Sequence, residues 1–317
     1  MFWIKSCSRA IRRLLLAGGL LLVLAGSASG CPARCECSAQ TKSVSCHRKR
    51  LASIPEGVPI ETRALDLSKN KLRLINFYNF SSFLQLEDLD LSDNTISVAE
   101  PGCFHSNVAL RSLNLRSNQL MLVAKGVLAG LTNLTHLDLS HNRLVVLLDH
   151  AFQDLHRLTF LEVSNNQLLL SIEPLAFAGL KSLQLLDVSQ NRLDSLERAV
   201  FASADSLQRL CLGGNPLVCD CRLLWLLSSH KPASLQILDL QPECSAPQHL
   251  LGKSLLDLKE PLVSRYMTSI FETFQHVDAS TAAVLASRCL SSICSFCSFT
   301  LKCFFLVGFS DHFVQKT

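Results

Sequence analysis

The sequence lacks the short motifs with which many enzymes bind phosphate or a catalytic metal. It contains neither a P-loop nor a His-Glu-x-x-His zinc motif. His136 and Asp138 would share one face of a strand, but the pattern supplies no Ser or Cys nucleophile with a positioned base. We therefore predict that the protein is not an enzyme and uses no metal or cofactor.

A large net charge is missing as well. The formal net charge is +4, and four basic residues near the start are enough to account for it: Lys5, Arg9, Arg12 and Arg13. Because the rest of the chain has no broad basic field, nucleic acid is not an expected partner.

The same basic residues open a pattern typical of a secretory signal peptide, which we assign to residues 1–30. An apolar run from Leu14 to Ala25 follows them, and small residues from Gly26 to Gly30 complete the pattern. A signal anchor is the alternative, although the run is shorter than the roughly 20 residues of a spanning helix. We predict that the protein is secreted or displayed at the cell surface.

Cysteine, by contrast, is abundant, with 14 residues in the chain. Two clusters stand out at close spacing, and their members are Cys31, Cys35, Cys37 and Cys46, then Cys219, Cys221 and Cys244. In an exported protein such clusters indicate disulfides. Counting alone would also allow the first cluster to bind a metal ion.

Between the clusters, the pattern L-x-x-L-x-L-x-x-N-x-L occurs about seven times, with a period of about 24 residues. Its Asn residues are Asn70, Asn94, Asn118, Asn142, Asn166, Asn191 and Asn215. Aliphatic side chains in L-x-L point inward from a short strand, and stacked repeats bury them together. The pattern predicts an α/β solenoid, a leucine-rich-repeat horseshoe with a parallel concave sheet.

Two further features belong to this predicted scaffold. The Asn amide can satisfy buried peptide groups where the backbone turns away from the strand. An aromatic spine would fill the space behind the sheet, formed by Phe80, Phe104, Phe152, Phe177 and Phe201, with Leu128 replacing one ring. The predicted units are an N-cap at 31–60, repeats at 61–217, a partial C-cap at 218–258 and a divergent tail at 259–317.

The residues between the strand leucines would form outward-facing columns on the concave face, where a protein partner could bind. One column would be Asp66, Asp90, Asn114, Asp138, Glu162, Asp187 and Cys211, and its neighbour would be Ser68, Ser92, Arg116, Ser140, Ser164, Ser189 and Gly213. The predicted binding residues are Asp66, Asp88, Asp90, Asn114, Arg116, His136, Asp138, Phe160, Glu162, Leu185, Asp187 and Arg209. Their carboxylates could attract a basic partner, although L-D-L-S is also a common form of the repeat itself. Phe160 and Leu185, expected to be exposed side by side, are a candidate hot spot or a local packing contact.

Smaller motifs suggest modification and charge recognition. Asn79 and Asn133 begin N-glycosylation sequons, with Asn133 in the more exposed position. The basic segment Arg48–Arg50 could bind an anionic glycan or lipid headgroup, or could be a solvated cap surface.

Several segments together resemble one family of extracellular proteins. They are C-P-A-R-C-E-C-S-A-Q from Cys31, C-H-R-K-R from Cys46, I-P-E-G-V-P-I-E-T-R from Ile54, A-E-P-G-C-F from Ala99, G-L-T-N-L-T from Gly130, V-V-L-L-D-H-A-F-Q-D-L-H from Val145 and N-P-L-V-C-D-C-R-L-L-W from Asn215. They are similar to the leucine-rich-repeat and immunoglobulin-like domain Nogo-receptor-interacting proteins, the LINGO family. The resemblance extends from about Cys31 to about Ser254.

The resemblance implies specific disulfides and a neuronal function. By analogy, Cys31 would pair with Cys37, Cys35 with Cys46, and Cys219 with Cys244, leaving Cys221 without an obvious partner. Members of the family are neuronal cell-surface glycoproteins that associate with co-receptors and restrain myelination and axon growth. A cell-surface receptor or co-receptor is therefore the implied partner.

This sequence departs from the family plan in its array and its tail. The array is short, as if middle repeats were deleted, and no immunoglobulin pattern follows about Leu258. Cys289 to Phe309 is long enough to span a membrane but contains Lys302, which costs about 2.5 to 3.5 kcal/mol there. The sequence leaves membrane anchoring open; a poorly ordered, altered C-terminus is the alternative. The pair Cys294 and Cys297 forms an isolated C-x-x-C without a redox-domain context.

We predict an extracellular protein-binding glycoprotein that modulates neuronal receptor signalling. A structural protein of the extracellular matrix and a truncated, non-signalling family product are the two alternatives.

Overall fold

The computed structural model describes residues 30–227, 232–238 and 242–258. Short strands recur once or twice in each turn of this part of the chain. In chain order they are β1 (Glu36–Ser38), β2 (Ser43–Ser45), β3 (Ala64–Asp66), β4 (Leu74–Ile75), β5 (Asp88–Asp90), β6 (Val98–Ala99), β7 (Ser112–Asn114), β8 (His136–Asp138), β9 (Val146–Leu147), β10 (Phe160–Glu162), β11 (Ser171–Ile172), β12 (Leu185–Asp187), β13 (Arg209–Cys211), β14 (Leu217–Val218), β15 (Gln236–Ile237) and β16 (Cys244–Ala246).

Within these described ranges, helical segments are few and short. One α-helix, α1 (Phe77–Phe80), follows β4 and is capped by the side chain of Asn76. The 3-10 helices are Arg198–Phe201, Cys221–Leu226, Gln248–Leu250 and Leu255–Asp257. The connections between sheet strands therefore consist largely of turns.

The main sheet has ten strands in the order β1-β2-β3-β5-β7-β8-β10-β12-β13-β15. β1 and β2 form an antiparallel hairpin, and every later neighbour in this sheet is parallel. The pairs β4–β6, β9–β11 and β14–β16 form small separate sheets. The predicted leucine-rich-repeat solenoid with a parallel sheet is confirmed.

The strand leucines explain why successive turns stack. In the first full repeat, Leu65 and Leu67 are buried while Asp66 between them stays half exposed. The same alternation recurs along the array, so one continuous apolar core runs beneath the sheet. A single turn could not bury this face, because its apolar partners come from the neighbouring turns.

The repeated Asn residues join each turn to the one before it. The Asn118 side chain donates through Nδ2 to the carbonyl oxygens of Leu91 and Leu115, both at 3.0 Å. Its Oδ1 accepts from the backbone N–H of Ile96 at 3.0 Å. Corresponding bonds occur at the other repeat asparagines: Asn70, Asn94, Asn142, Asn166, Asn191 and Asn215. The amide thus satisfies peptide groups that would otherwise be buried without partners.

Aromatic rings fill the space behind the sheet. Phe80 stacks on Phe104 with ring centres 5.7 Å apart, and the buried Leu128 interrupts the series. The series resumes with centroid distances of 6.2 Å for Phe152–Phe177, 5.8 Å for Phe177–Phe201 and 5.1 Å for Phe201–Trp225. The indole N–H of Trp225 donates to the carbonyl of Leu196 at 2.8 Å, which ties the C-cap to the last turns.

Disulfides close both ends of the core. Cys31 is bonded to Cys37 and Cys35 to Cys46 at the N-terminal end. These bonds leave no thiolate in that cluster for the metal ion that spacing alone allowed. Cys219 is bonded to Cys244 at the other end, where Arg222 also forms a bidentate pair with the buried carboxylate of Asp220, through Nε to Oδ1 and Nη2 to Oδ2.

Several predicted features lie outside the described residues. They are the signal peptide except for Gly30, the tail at 259–317 with its four cysteines, and the side chain of Cys221. Across the ranges that are described, no helix is long and apolar enough to cross a membrane.

Candidate binding face

Parallel register places the acidic residues in one column across the concave sheet. Each residue is aligned with its counterpart in the next turn, and the column is Asp66, Asp90, Asn114, Asp138, Glu162, Asp187 and Cys211. Adjacent positions are separated by about 4.8 Å, the spacing of neighbouring strands. All seven side chains are half-buried.

Most of these carboxylates also serve the fold. The Oδ1 atom of Asp138 accepts from the backbone N–H of Ser140 at 2.8 Å, and the Ser140 hydroxyl donates to the same oxygen. Asp66, Asp90, Asn114 and Asp187 accept from the equivalent backbone N–H two residues later. One oxygen of each side chain therefore stabilises the turn. Of the second aspartate oxygens, that of Asp66 accepts from the Ser45 hydroxyl at 3.1 Å, and that of Asp138 lies 4.0 Å from Arg116 Nη1.

The serine column beside them differs from expectation. Ser68, Ser92, Ser140 and Ser164 were expected to point outward from the sheet, but all four are buried. Each strand ends at the acidic position, so the chain has already begun to turn at the serine. Arg116 replaces serine in one turn, where its Nη1 donates to the Ser140 hydroxyl at 2.8 Å and lies 4.0 Å from Asp138 Oδ2.

Glu162 is the acid of the column whose pKa is shifted. Burial is the main cause that raises this pKa, and the charges of Asp138 and Asp187 raise it further, while the charge of Arg116 lowers it. The longer Glu side chain does not form the short turn contact made by its Asp neighbours. Its environment therefore disfavours the ionised form, and a cation from a partner would relieve this repulsion.

An aromatic cluster occupies the outer column of the face. The rings of His136 and Phe160 stack with centroids 4.6 Å apart and planes 15° apart. The guanidinium carbon of Arg209 lies 5.5 Å from the centroid of Phe160, within the range of a cation–π contact. Leu185 lies beside Phe160 in register. Phe160 and Leu185 are half-buried rather than exposed, because these neighbours cover part of their surfaces.

The other end of the outer column carries charge instead of aromatic rings. Asp88 is exposed at the start of β5, and it is followed by the buried Leu89 and the half-buried Asp90. Just before this strand, Glu87 lies 3.2 Å from Arg63 and 3.8 Å from Arg111. Sequence reasoning missed this charged row; extending the repeat alignment by one residue upstream would have revealed it.

The same upstream row also positions the aromatic cluster. The Thr135 hydroxyl lies 2.8 Å from His136 Nδ1 and donates to the carbonyl of Arg111 at 2.9 Å. The imidazole of His136 is therefore held both by its stacking on Phe160 and by a polar neighbour.

The two sequon asparagines are both half-buried and hydrogen-bonded. Asn133 donates through Nδ2 to the carbonyl of Val108 at 2.8 Å and accepts from Arg157 at 2.7 Å. Asn79 accepts from the backbone N–H of Asn76 at 2.7 Å at the start of helix α1. The sequence predicted that Asn133 is more exposed than Asn79, but the two side chains fall in the same half-buried class.

The described residues contain no group of three or more His, Cys, Asp or Glu side chains placed to hold a metal ion. The buried thiol of Cys103 has a pKa raised to about 12, chiefly by desolvation, so it is protonated at neutral pH and poorly nucleophilic.

Comparison with known proteins agrees with this geometry. The family profile described as leucine rich repeat matches residues 60–120, 121–168 and 167–217. The crystal structure of human 5T4, also called Wnt-activated inhibitory factor 1 or trophoblast glycoprotein, is similar in fold with a TM-score of 0.52. That alignment covers 74% of this chain and 98% of the other at 24% sequence identity. The chain is a leucine-rich-repeat protein.

Curated relatives point to one group of leucine-rich-repeat proteins. The mouse leucine-rich repeat and immunoglobulin-like domain-containing nogo receptor-interacting protein 2 is 65% identical over 69 residues, covering 22% of this chain and 11% of the relative. The zebrafish protein 1-B of the same name is 54% identical over 86 residues, covering 27% of this chain and 13% of the relative. Over these segments the chain is similar to the LINGO family, as its motifs predicted. The matched region is a small part of the full length of each relative.

Proposed function

We propose that the protein is an extracellular or cell-surface glycoprotein that binds a protein receptor through its concave face and modulates neuronal signalling. The observation that carries this proposal is the cluster of Phe160, His136 and Arg209 on that face. The proposed partner is the nogo receptor, because relatives in this family carry the name nogo receptor-interacting protein.

The aromatic cluster has the composition of an interface centre. Aromatic residues and Arg are enriched in protein interfaces, and binding energy concentrates in a few such residues. The Phe160 ring is already held between His136 and Arg209, so little side-chain freedom remains to be lost on binding. A partner could cover the open part of this ring and the neighbouring Leu185 together.

The acidic column would add charge complementarity. A basic partner surface would meet the second carboxylate oxygen of Asp187 and the carboxylate of Glu162. Such charges increase the association rate and favour one orientation of the partner. The disulfides at both ends support an extracellular location, because they persist in oxidising compartments.

Binding to cells that display the nogo receptor tests the proposal. We expect the wild-type protein to bind these cells above parental cells, and Phe160→Ala to raise the apparent Kd by at least about tenfold, as expected for a hot-spot residue. Tyr78→Ala is the matched control, since Tyr78 is an 84% exposed aromatic residue on helix α1. It should bind as the wild type does.

Two results would contradict this assignment. Equal binding to receptor-bearing and parental cells would reject the nogo receptor as partner. Equal loss in Phe160→Ala and Tyr78→Ala would reject the concave face as the site. Retention in decellularised matrix that Phe160→Ala leaves unchanged would favour the extracellular-matrix alternative.

Export and glycosylation are separate parts of the proposal. We propose that the signal peptide is removed near Gly30 and that Asn79 and Asn133 carry glycans. Expression in mammalian cells, N-terminal sequencing of the secreted protein and removal of N-glycans test both points. Protein retained inside the cell with an intact N-terminus would contradict the proposed location.

A further inference from the structure

Five exposed basic residues gather on one flank at the N-terminal end of the solenoid. We call this set the basic flank, and it consists of Arg48, Arg50, Lys69, Lys71 and Arg73. Arg48 and Arg50 belong to the N-cap, whereas the other three follow the first full strand, β3. The sequence suggests only the short basic run in the cap, because the two groups are about twenty residues apart.

Backbone pairing brings the two groups together. The N–H of Arg48 donates to the carbonyl of Ser68 at 3.0 Å, and the N–H of Lys71 donates to the carbonyl of Leu51 at 2.7 Å. Arg48 therefore lies beside Lys69, and Arg50 beside Lys71, in adjacent turns about 4.8 Å apart. The basic residues form a grid on the surface rather than a single row.

A buried side chain holds this arrangement in place. Asn70 Oδ1 accepts from the backbone N–H groups of both Lys49 and Leu51 at 3.0 Å, and its Nδ2 donates to the carbonyl of Cys46 at 2.9 Å. The Cys35–Cys46 disulfide anchors the same segment of the cap. The positions of the five backbone sites are thus set before any ligand arrives.

The positive charge of the flank is not neutralised by nearby acids. Within the described part of the chain, none of the five residues forms an ion pair. Lys49 between them differs, since it is half-buried and lies 3.6 Å from Glu36. Asp93, one turn beyond Lys69, is the nearest acid by register and is itself exposed.

We propose that the basic flank binds a sulfated glycosaminoglycan chain. A regular polyanion matches basic residues spaced by a fixed backbone, and binding releases its counterions. An added peptide strand fits less well, because backbone groups here already pair with the adjacent turn.

An anionic membrane is the other class of ligand that the flank could bind, and membrane binding is one outcome of the test. This site is separate from the concave face and does not depend on the receptor proposal.

Affinity for immobilised heparin tests the inference on the full-length, disulfide-bonded protein. The test variant combines Arg48→Gln, Arg50→Gln, Lys69→Gln, Lys71→Gln and Arg73→Gln. Gln fits the left-handed position of Lys69, at φ 53°, because Gln190 adopts φ 55° at the equivalent position of a later turn. We expect its Kd for heparin to rise at least roughly tenfold, with a weaker dependence on salt concentration.

The matched control removes the same number of charges elsewhere. It combines Lys125→Gln, Arg143→Gln, Lys181→Gln, Arg192→Gln and Lys253→Gln, five exposed basic residues without an ion pair among the described residues. The control and Phe160→Ala should both keep the wild-type affinity. If the five-residue flank variant does not fold, Arg50→Gln with Lys71→Gln should still raise the Kd about threefold.

Three results would overturn the inference. An equal loss in the control would show that overall charge, not the flank, binds heparin. Equal affinity for desulfated heparin would show that sulfate groups are not recognised. Flank-dependent binding to phosphatidylserine vesicles without binding to heparin would assign the flank to a membrane surface instead.

Discussion

The interior of the solenoid and its concave face are built from the same repeats but follow different rules. Inside, the same residue type recurs at each position, as in the Asn residues and the spine of Phe rings. On the face, the outer column changes from Asp88 to His136, Phe160 and Arg209. The interior is constrained by packing against similar neighbours, whereas the varied outer column of the face is free to match a partner.

Pairs of chemically identical residues, one inside and one on the face, can test this comparison. In each pair, substitution of the interior residue should lower the free energy of unfolding more than substitution of the residue on the face.

The largest expected difference is between two phenylalanines. Phe177→Ala should lower the free energy of unfolding by about 3–5 kcal/mol, because it removes a buried ring between Phe152 and Phe201. Phe160→Ala should cost only about 1 kcal/mol, because Phe160 is half-buried. Equilibrium unfolding in denaturant measures both values. Equal costs would mean that Phe160 is a packing residue rather than part of a binding site.

A smaller difference is expected between two asparagines of the same turn. Asn118→Ala should cost about 2–4 kcal/mol, because it leaves the N–H of Ile96 and two carbonyl groups buried without partners. Asn114→Ala removes one contact, to the N–H of Arg116, and should cost about 0.5–1 kcal/mol because water can replace it. The same unfolding measurement applies, and a reversed order would contradict the scaffold function of Asn118.

The smallest effect concerns the pH dependence of the face. The pKa of Glu162 is raised in the folded protein, so the folded state binds more protons than the unfolded state above about pH 4.5. Stability should therefore fall as the pH rises from the ordinary value of 4.5 through the raised folded value. Glu162→Gln should remove this part of the decline. An unchanged pH profile would show that the desolvation and carboxylate repulsion at Glu162 are negligible.

Sequence reasoning predicted the scaffold well because its signal is local and repeated. The Leu and Asn spacing established the solenoid, and the resemblance to a known family implied the cysteine pairs. It was less successful two residues beyond the end of each strand, where the serines were expected to face outward. A period of 24 residues does not reveal where each strand ends and the chain turns.

The binding face was predicted only as a set of columns. The spacing brought Phe160 and Leu185 side by side, but it could not show that His136 stacks on the same ring or that Arg209 reaches across it. These contacts depend on side-chain conformations and on the curvature of the sheet. The row containing Glu87, Arg63 and Arg111 was missed for a simpler reason. These residues directly precede the outer column, and the predicted columns began one residue after them.

By itself, the sequence determined which aliphatic residues point inward and how successive turns align, because period and side-chain chemistry act over one repeat. Only the tertiary structure decided which charges and rings meet on the surface. Arg48 and Lys69 are in different segments of the sequence, yet hydrogen bonds between adjacent turns place them side by side. Contacts of this kind depend on how the turns stack, and therefore they cannot be derived from any one repeat alone.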